Sequence, residues 1–328
     1  MSASEDVTNP DVAEWLALGG HLDTPEGRVF VVDLDVPDAT DEPVVVLHGF
    51  PTSSMDWRGV LDALGRGRRR VVLFDFVGFG LSDKPDRRYG IDLHADTTVA
   101  VLGALGIDRC VLVTHDMGDT VGGELLARTM PSGTVPDDPA WSAPADAPVL
   151  TSGTGRPPDP LNLEVTRRVI VNGSIYLDLA SLTEGQHRLW SAPDERLPDE
   201  LGELVGGEGL GQGIAKVFHP DHQPDDAERA ALVASIEYQR GHLLMPRLIR
   251  YLDDRRRAEA RYTGAIETHP SPLYILWADE DPVAVAAMGE QLAARRPDAD
   301  YRPLAGFGHY PMLEDPTRFG AELAQALR

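Results

Sequence analysis

The sequence predicts a doubly wound α/β fold, a mostly parallel sheet with a helical block inserted late, and three observations carry that expectation. Short apolar runs rich in Val, Ile and Leu alternate with helix-forming stretches along most of the chain. Several of these runs are apolar at nearly every position, as strands buried on both faces are. The alternation lapses between the runs at residues 167–173 and 273–277, where residues 177–262 read as mostly helical.

Taken in order, residues 19–36 hold two extended stretches, the stronger at Val29-Phe30-Val31-Val32, turned on Pro25-Glu26-Gly27. Residues 43–47 form a buried-type strand that ends in His48-Gly49-Phe50-Pro51. Ser53 or Ser54 is placed to cap a helix running to about Leu64. A strand at residues 70–74 follows, then the loop Gly78-Phe79-Gly80-Leu81-Ser82-Asp83. That loop lacks the third glycine of a nucleotide-binding turn, so turn geometry accounts for it better than phosphate binding. Residues 92–105 read as a helix, and Cys110-Val111-Leu112-Val113 as the next strand. This strand breaks at Thr114-His115-Asp116-Met117-Gly118 into a short polar corner and then into helix-forming sequence.

Residues 131–160 are rich in Pro, Gly, Ser, Thr and Asp and read as an exposed, flexible insertion. The helical block holds a flexible glycine-rich segment at 206–213 and a long amphipathic candidate at 225–257, which Pro246 is expected to kink. A strand at 273–277, a helix at 284–295, a strand at 301–304 and a helix at 316–327 close the chain. The expected organisation is a sheet domain of residues 1–175 and 265–328 with a helical cap of residues 176–264 between its two parts.

Charge narrows the partners. The net charge is −23, and only Lys84 and Lys216 among the 30 basic residues are lysine. Such a surface repels nucleic acid and anionic membranes at long range, so a small molecule is the expected partner. The same acidic, arginine-rich balance also fits a salt-adapted or high-GC source. No apolar run is long enough to span a bilayer, and residues 1–10 lack the pattern of a secretory signal. A soluble, cytoplasmic monomer or homodimer is expected. The one cysteine, Cys110, lies in an apolar strand and reads as a buried thiol. Neither cofactor nor metal is expected: His219 and His222 have H-x-x-H spacing, but Pro220 breaks any helix there and no third ligand is evident.

The corner at residues 114–118 is where chemistry is expected. A sharp strand-to-helix turn between small residues leaves its central side chain exposed above a sheet, and here that residue is a carboxylate, Asp116. An aspartate at a helix N-terminus is stabilised as the anion and can attack without a base to deprotonate it; the competing reading is a plain helix cap. A nucleophile also needs a histidine and a carboxylate to orient it. Two loops after late strands supply candidates: Asp279-Glu280-Asp281-Pro282-Val283 and Gly308-His309-Tyr310-Pro311.

These motifs together resemble the α/β-hydrolases of the epoxide hydrolase and haloalkane dehalogenase branch. The resemblance runs through His48-Gly49-Phe50-Pro51-Thr52-Ser53-Ser54 with Asp56-Trp57, Asp75-Phe76-Val77-Gly78-Phe79-Gly80 with Ser82-Asp83-Lys84-Pro85, the corner, the Asp281-Pro282-Val283 loop, and His309-Tyr310-Pro311 with Leu313-Glu314-Asp315-Pro316. It covers the whole catalytic domain and implies the α/β-hydrolase fold. It makes Asp116 the nucleophile, His309 the water-activating base and Asp281 its partner. Asp281 is preferred to Asp279 because the family's acid stands just before a Pro-Val or similar pair. The backbone N–H groups of Phe50 and Met117 would be the oxyanion donors.

A carboxylate nucleophile implies an alkyl-enzyme ester, which suits epoxides and alkyl halides, and an apolar electrophile is the expected substrate. Haloalkane dehalogenases place Asn after His-Gly and Trp after the nucleophile, and fluoroacetate dehalogenases place Arg after it. This chain has Phe50 and Met117 at those positions. The resemblance therefore favours an epoxide hydrolase, whose leaving oxygen is usually protonated by two cap tyrosines. Tyr251 falls where the second is expected, with Tyr176 the candidate for the first and Tyr238 its competitor. His48, Pro51, Trp57 and Trp190 are the substrate-side candidates, with a core role for Trp57 and a brace under the oxyanion loop for His48 as competing readings. A dehalogenase drawing halide donors from the cap, such as Trp190, and a non-catalytic binding scaffold are the alternative functions.

Overall fold

The computed structural model describes residues 7–136 and 161–328. Most of the insertion expected at 131–160 lies outside the described residues. Strands β1 (Gly20–Thr24), β2 (Gly27–Leu34), β3 (Val44–Leu47), β4 (Val71–Phe74), β5 (Arg109–His115), β6 (Glu164–Val171), β7 (Leu273–Ala278) and β8 (Asp300–Leu304) form one sheet. Their order is β1-β2-β4-β3-β5-β6-β7-β8. The β1–β2 and β2–β4 pairs are antiparallel, and every later neighbour is parallel.

The apolar runs explain the burial. Every residue of β3 and β4 is buried, because helices cover both faces of a parallel sheet. Fully burying one such Val or Leu side chain contributes roughly 1.5–3 kcal/mol. From β3 the chain crosses to β4 on one side, and β5 then starts the other half of the sheet, so the order reverses between β3 and β5. A crevice opens at such a reversal, outside the carboxyl ends of the strands. His48-Gly49-Phe50 leaves β3 there, and Asp116 leaves β5.

The helix Met117–Thr129 follows β5 and packs along the last helix of the inserted block, Tyr251–Thr268. Their approach is close at Gly123, where an added Cβ would stand 2.9 Å from the Tyr262 carbonyl oxygen. A buried ion pair joins the two helices, Arg261 Nε to Glu124 Oε2 at 2.6 Å.

Several local expectations change. A helix at Pro10–Leu18, capped by the Asn9 side chain and opened by proline, was not evident from the sequence. The capped helix after Ser53 begins as a tight 3₁₀ turn, Ser54–Val60, before Leu61–Leu64. Residues 206–213, expected to be flexible, lie largely in the helix Gly207–Ala215, where Gly211 packs against Val233. The break in the long amphipathic stretch falls at Gln239 and Arg240, both with positive φ, rather than at Pro246, which sits in the first turn of the short helix Met245–Leu248. The final helix of the block runs on to Thr268. Among the described residues no helix is long and apolar enough to cross a membrane.

Candidate active site

The corner is a strained junction held by small residues. Asp116 has φ 51° and ψ −119°, outside the regions comfortable for a side chain, a conformation that costs on the order of 1–3 kcal/mol. It persists because the corner is pressed against the end of β3. A Cβ on Gly49 would stand 2.5 Å from Asp116 Cβ, and one on Gly118 would stand 2.4 Å from the Leu47 carbonyl oxygen. Asp116 occupies the capping position of Met117–Thr129, yet its side chain makes no capping hydrogen bond. Instead Oδ1 accepts from the Phe50 backbone N–H at 2.7 Å, and the residue is 2% exposed. The buried Met117 opens the helix beside it; among the described residues the hydrogen bond to the carboxylate comes from Phe50.

His309 stands opposite. Its Nε2 lies 3.8 Å from Asp116 Oδ2, and its Nδ1 lies 2.7 Å from Asp281 Oδ2. Asp281 Oδ1 accepts from the Val283 and Ala284 N–H groups at 2.7 and 2.9 Å, so the carboxylate is fixed by its own loop. This arrangement puts the Nδ1 proton toward Asp281 and aims Nε2 at Asp116. Burial opposes a charge on the ring, but Asp281, Asp116 and Glu314 outweigh it and push the His309 imidazole up to about 9. Asp279 is exposed and accepts from the Gly306 N–H at 2.8 Å, away from the histidine ring.

The loop around His309 is braced through its main chain. His309 N–H donates to the Val217 carbonyl at 2.9 Å, and its carbonyl accepts from His115 Nε2 at 2.8 Å. Asn172, at the end of β6 with φ 45°, donates from Nδ2 to the Gly308 carbonyl at 2.8 Å and accepts the Ala278 N–H on Oδ1. Glu314 accepts from the N–H groups of Gly308 and Tyr310 at 2.7 and 3.1 Å. Neither role was anticipated. An Asn-Gly pair directly after an apolar strand was the available signal for Asn172, since asparagine tolerates positive φ. Glu314 lay within a matched motif without an assigned task.

Tyr251, 1% exposed, packs with its ring 5.9 Å from that of Phe50, whose N–H holds the Asp116 carboxylate. Burial and then the Asp116 charge raise its hydroxyl well above the ordinary range, while Arg255 pulls the other way. The other proposed substrate-side residues are engaged elsewhere. The Tyr176 hydroxyl donates to Glu267 Oε1 at 2.8 Å, so it is not the free partner of Tyr251. Tyr238 lies under the Lys84 ammonium, 5.4 Å from its ring centre. Trp190 spends its N–H on Asp253 Oδ1 at 2.8 Å, and its ring is covered by the Arg256 guanidinium, which removes it as a halide donor. Trp57 is buried against Phe319 in the core. His48 commits both ring nitrogens to main chain, Nδ1 to the Gly49 carbonyl at 2.8 Å and Nε2 to the Phe76 N–H at 3.0 Å, and therefore braces the loop that carries Phe50. Pro51, half-buried, continues the chain after Phe50. Among the described residues no cluster of His, Cys, Asp and Glu could hold a metal.

The alpha/beta hydrolase family model matches residues 44–322. Over 323 residues the chain is 35% identical to LipZ of Mycobacterium tuberculosis, which carries a hydrolase name, covering 98% of this chain and 99% of the relative. It is 29% identical over 316 residues to the human mesoderm-specific transcript homolog protein, covering 95% and 86%. A structure named for an ancestral haloalkane dehalogenase is 18% identical, with 94% and 98% of the two chains covered and a TM-score of 0.68. The enol-lactonase of Burkholderia xenovorans is 16% identical, with 94% and 99% covered and a TM-score of 0.67. At those identities the structures speak for the fold alone. The family match and the full-length relative together establish that the chain belongs to the alpha/beta hydrolase family.

Proposed function

We propose that this hydrolase opens epoxides to vicinal diols through an ester on Asp116, within a helical cap formed by the block between β6 and β7. The observation that carries the reading is a carboxylate at the elbow corner, free of any capping bond, with Oδ1 held by the Phe50 N–H at 2.7 Å and Oδ2 left 3.8 Å from His309 Nε2. A corner hydroxyl would serve acyl transfer. A carboxylate instead displaces a leaving atom from saturated carbon.

In the first step Asp116 Oδ2 bonds to an epoxide carbon, the ring C–O bond breaks, and the ring oxygen takes the Tyr251 proton. In the second, His309 accepts a proton from water as that water adds to the ester carbonyl; the adduct then collapses with cleavage of the ester C–O bond, the departing diol oxygen takes the proton back from His309, and the proton left on the Asp116 carboxyl returns to the Tyr251 phenolate. The oxyanion that forms on Oδ1 is met by the Phe50 N–H and by the Met117 N–H at the start of the helix. Esterification removes the Asp116 charge that helps keep His309 protonated, so the imidazole becomes available as a base when it is needed.

Single turnover in oxygen-18 water, with parallel panels of epoxides and alkyl halides, tests this. Label in the Asp116 carboxylate with the first-turnover diol unlabelled is the expected result with epoxides. Label confined to the diol would remove the covalent mechanism, and turnover of halides alone would make the protein a dehalogenase.

A further inference from the structure

The helix that carries Tyr251 bears a second buried group with no part in the steps above. Arg255 lies four residues later, one turn along the same face. It is 2% exposed; Nη1 donates to the Ser174 hydroxyl, and Nη2 has no hydrogen-bond partner among the described residues. Glu124, the buried carboxylate further along this packed pair of helices, is already paired with Arg261 and Arg128. Burial works against the guanidinium charge, and the groups that favour it are Tyr251 first, then Asp116, Glu259 and Asp119.

Ring opening moves charge between two of those groups. Asp116 loses its negative charge as Oδ2 bonds to carbon. The electron pair of the broken C–O bond goes to the ring oxygen, which takes the phenolic proton and leaves a tyrosinate at position 251. A fixed cation that favours the end of this transfer over its beginning lowers the barrier. We propose that Arg255 is a positioning residue that holds the negative charge on Tyr251 during ring opening, in place of the second tyrosine hydroxyl. Its catalytic consequence rests on the epoxide reading; the pairing of the two side chains does not.

The test has one arm without substrate and one with it. Placing 3,5-difluorotyrosine at position 251 lowers the phenol's titration into a measurable range, and fluorine NMR reports its midpoint. Arg255→Met should raise that midpoint by about one pH unit or more, and Arg255→Lys, which keeps the charge and guards against a folding failure, by much less. An unmoved midpoint in folded Arg255→Met, or an equal rise in Arg255→Lys, overturns the pairing. In single turnovers, Arg255→Met should slow ester formation about 100-fold and leave ester hydrolysis within about threefold. In a Tyr251→Phe background the same substitution should cost less than about threefold. Equal slowing of both steps, or a change in KM alone, overturns the proposal. If the wild-type protein opens no epoxide, the epoxide reading falls while the titration still decides the pairing.

Discussion

The two sides of the Asp116 carboxylate are built on different terms. Toward the strand ends, the groups that fix His309 are tied to main chain: Asn172 to three backbone groups, Glu314 to Gly308 and Tyr310, and Asp281 to Val283 and Ala284. Toward the helix Tyr251–Thr268, buried polar atoms stay unmet among the described residues, namely Arg255 Nη2 and both oxygens of Asp119. Burial, with the Asp116 charge added, raises the Asp119 carboxyl well above its ordinary range despite the nearby Thr114 hydroxyl and Arg255. The braces of His309 that run through Asn172, Glu314 and Asp281 are bonded before any ligand arrives, with His115 Nδ1 the atom left over there, while Arg255 and Asp119 retain unused capacity. Partly satisfied buried networks cost stability and persist where a site needs them.

Breaking the His309 side should have the largest effect. Asp281→Asn leaves the shape but removes the charge that orients His309, and kcat should fall by about 10³–10⁴-fold, measured in steady state with the best epoxide. Retention of more than about a tenth of the activity would mean another group orients the ring. The contact between the two sides comes next. A Cβ on Gly173 would stand 1.5 Å from Asp119 Oδ2, so Gly173→Ala should destabilise the fold by about 3 kcal/mol in urea titrations, and adding Asp119→Ala should recover most of that. Asn172→Ala strands the Ala278 N–H and the Gly308 carbonyl and should cost about 2 kcal/mol.

Smaller effects sharpen the contrast. Ester hydrolysis needs neutral His309, which titrates at about 9 while Asp116 is charged and lower once it is esterified. Hydrolysis of the trapped ester should therefore rise with pH through a midpoint below about 9 and then level; a rate that falls over that range would count against His309 as base. Because the folded midpoint is above the ordinary 6.5, the pair stabilises the fold fully below about 6.5 and loses that contribution as pH rises through about 9. The stability gap between wild type and His309→Gln should narrow over that window. Asp119→Asn, which preserves shape in a residue already disposed to be uncharged, should change stability by less than about 1 kcal/mol.

Legibility in the sequence follows the same division. The strands, the corner and the two late loops could be read because a parallel sheet imposes short apolar runs, and because backbone-braced loops keep fixed spacings around residues such as Asp116, Asp281 and His309. The inserted block resisted reading because packing overrides local preference there. Its glycine-rich 207–215 segment is helical against Val233, and its chain breaks at Gln239 and Arg240, residues that carry no breaking signal. Arg255 sits in the run Asp253-Asp254-Arg255-Arg256-Arg257, which looks like a solvated charged face; only the three-dimensional packing separates the one buried arginine from its neighbours.

The hydrogen bond from His309 N–H to the Val217 carbonyl crosses from the loop after β8 to the block between β6 and β7. A block joined to the sheet only through its substrate-facing surface could be exchanged between relatives like a fitting, altering selectivity and leaving the base alone. Here that modularity is limited, since any graft must keep the backbone path that brings a carbonyl to the Val217 position under the His309 N–H. Changes of substrate range are therefore expected to come more readily from single side chains facing Asp116 than from transplanting the whole block.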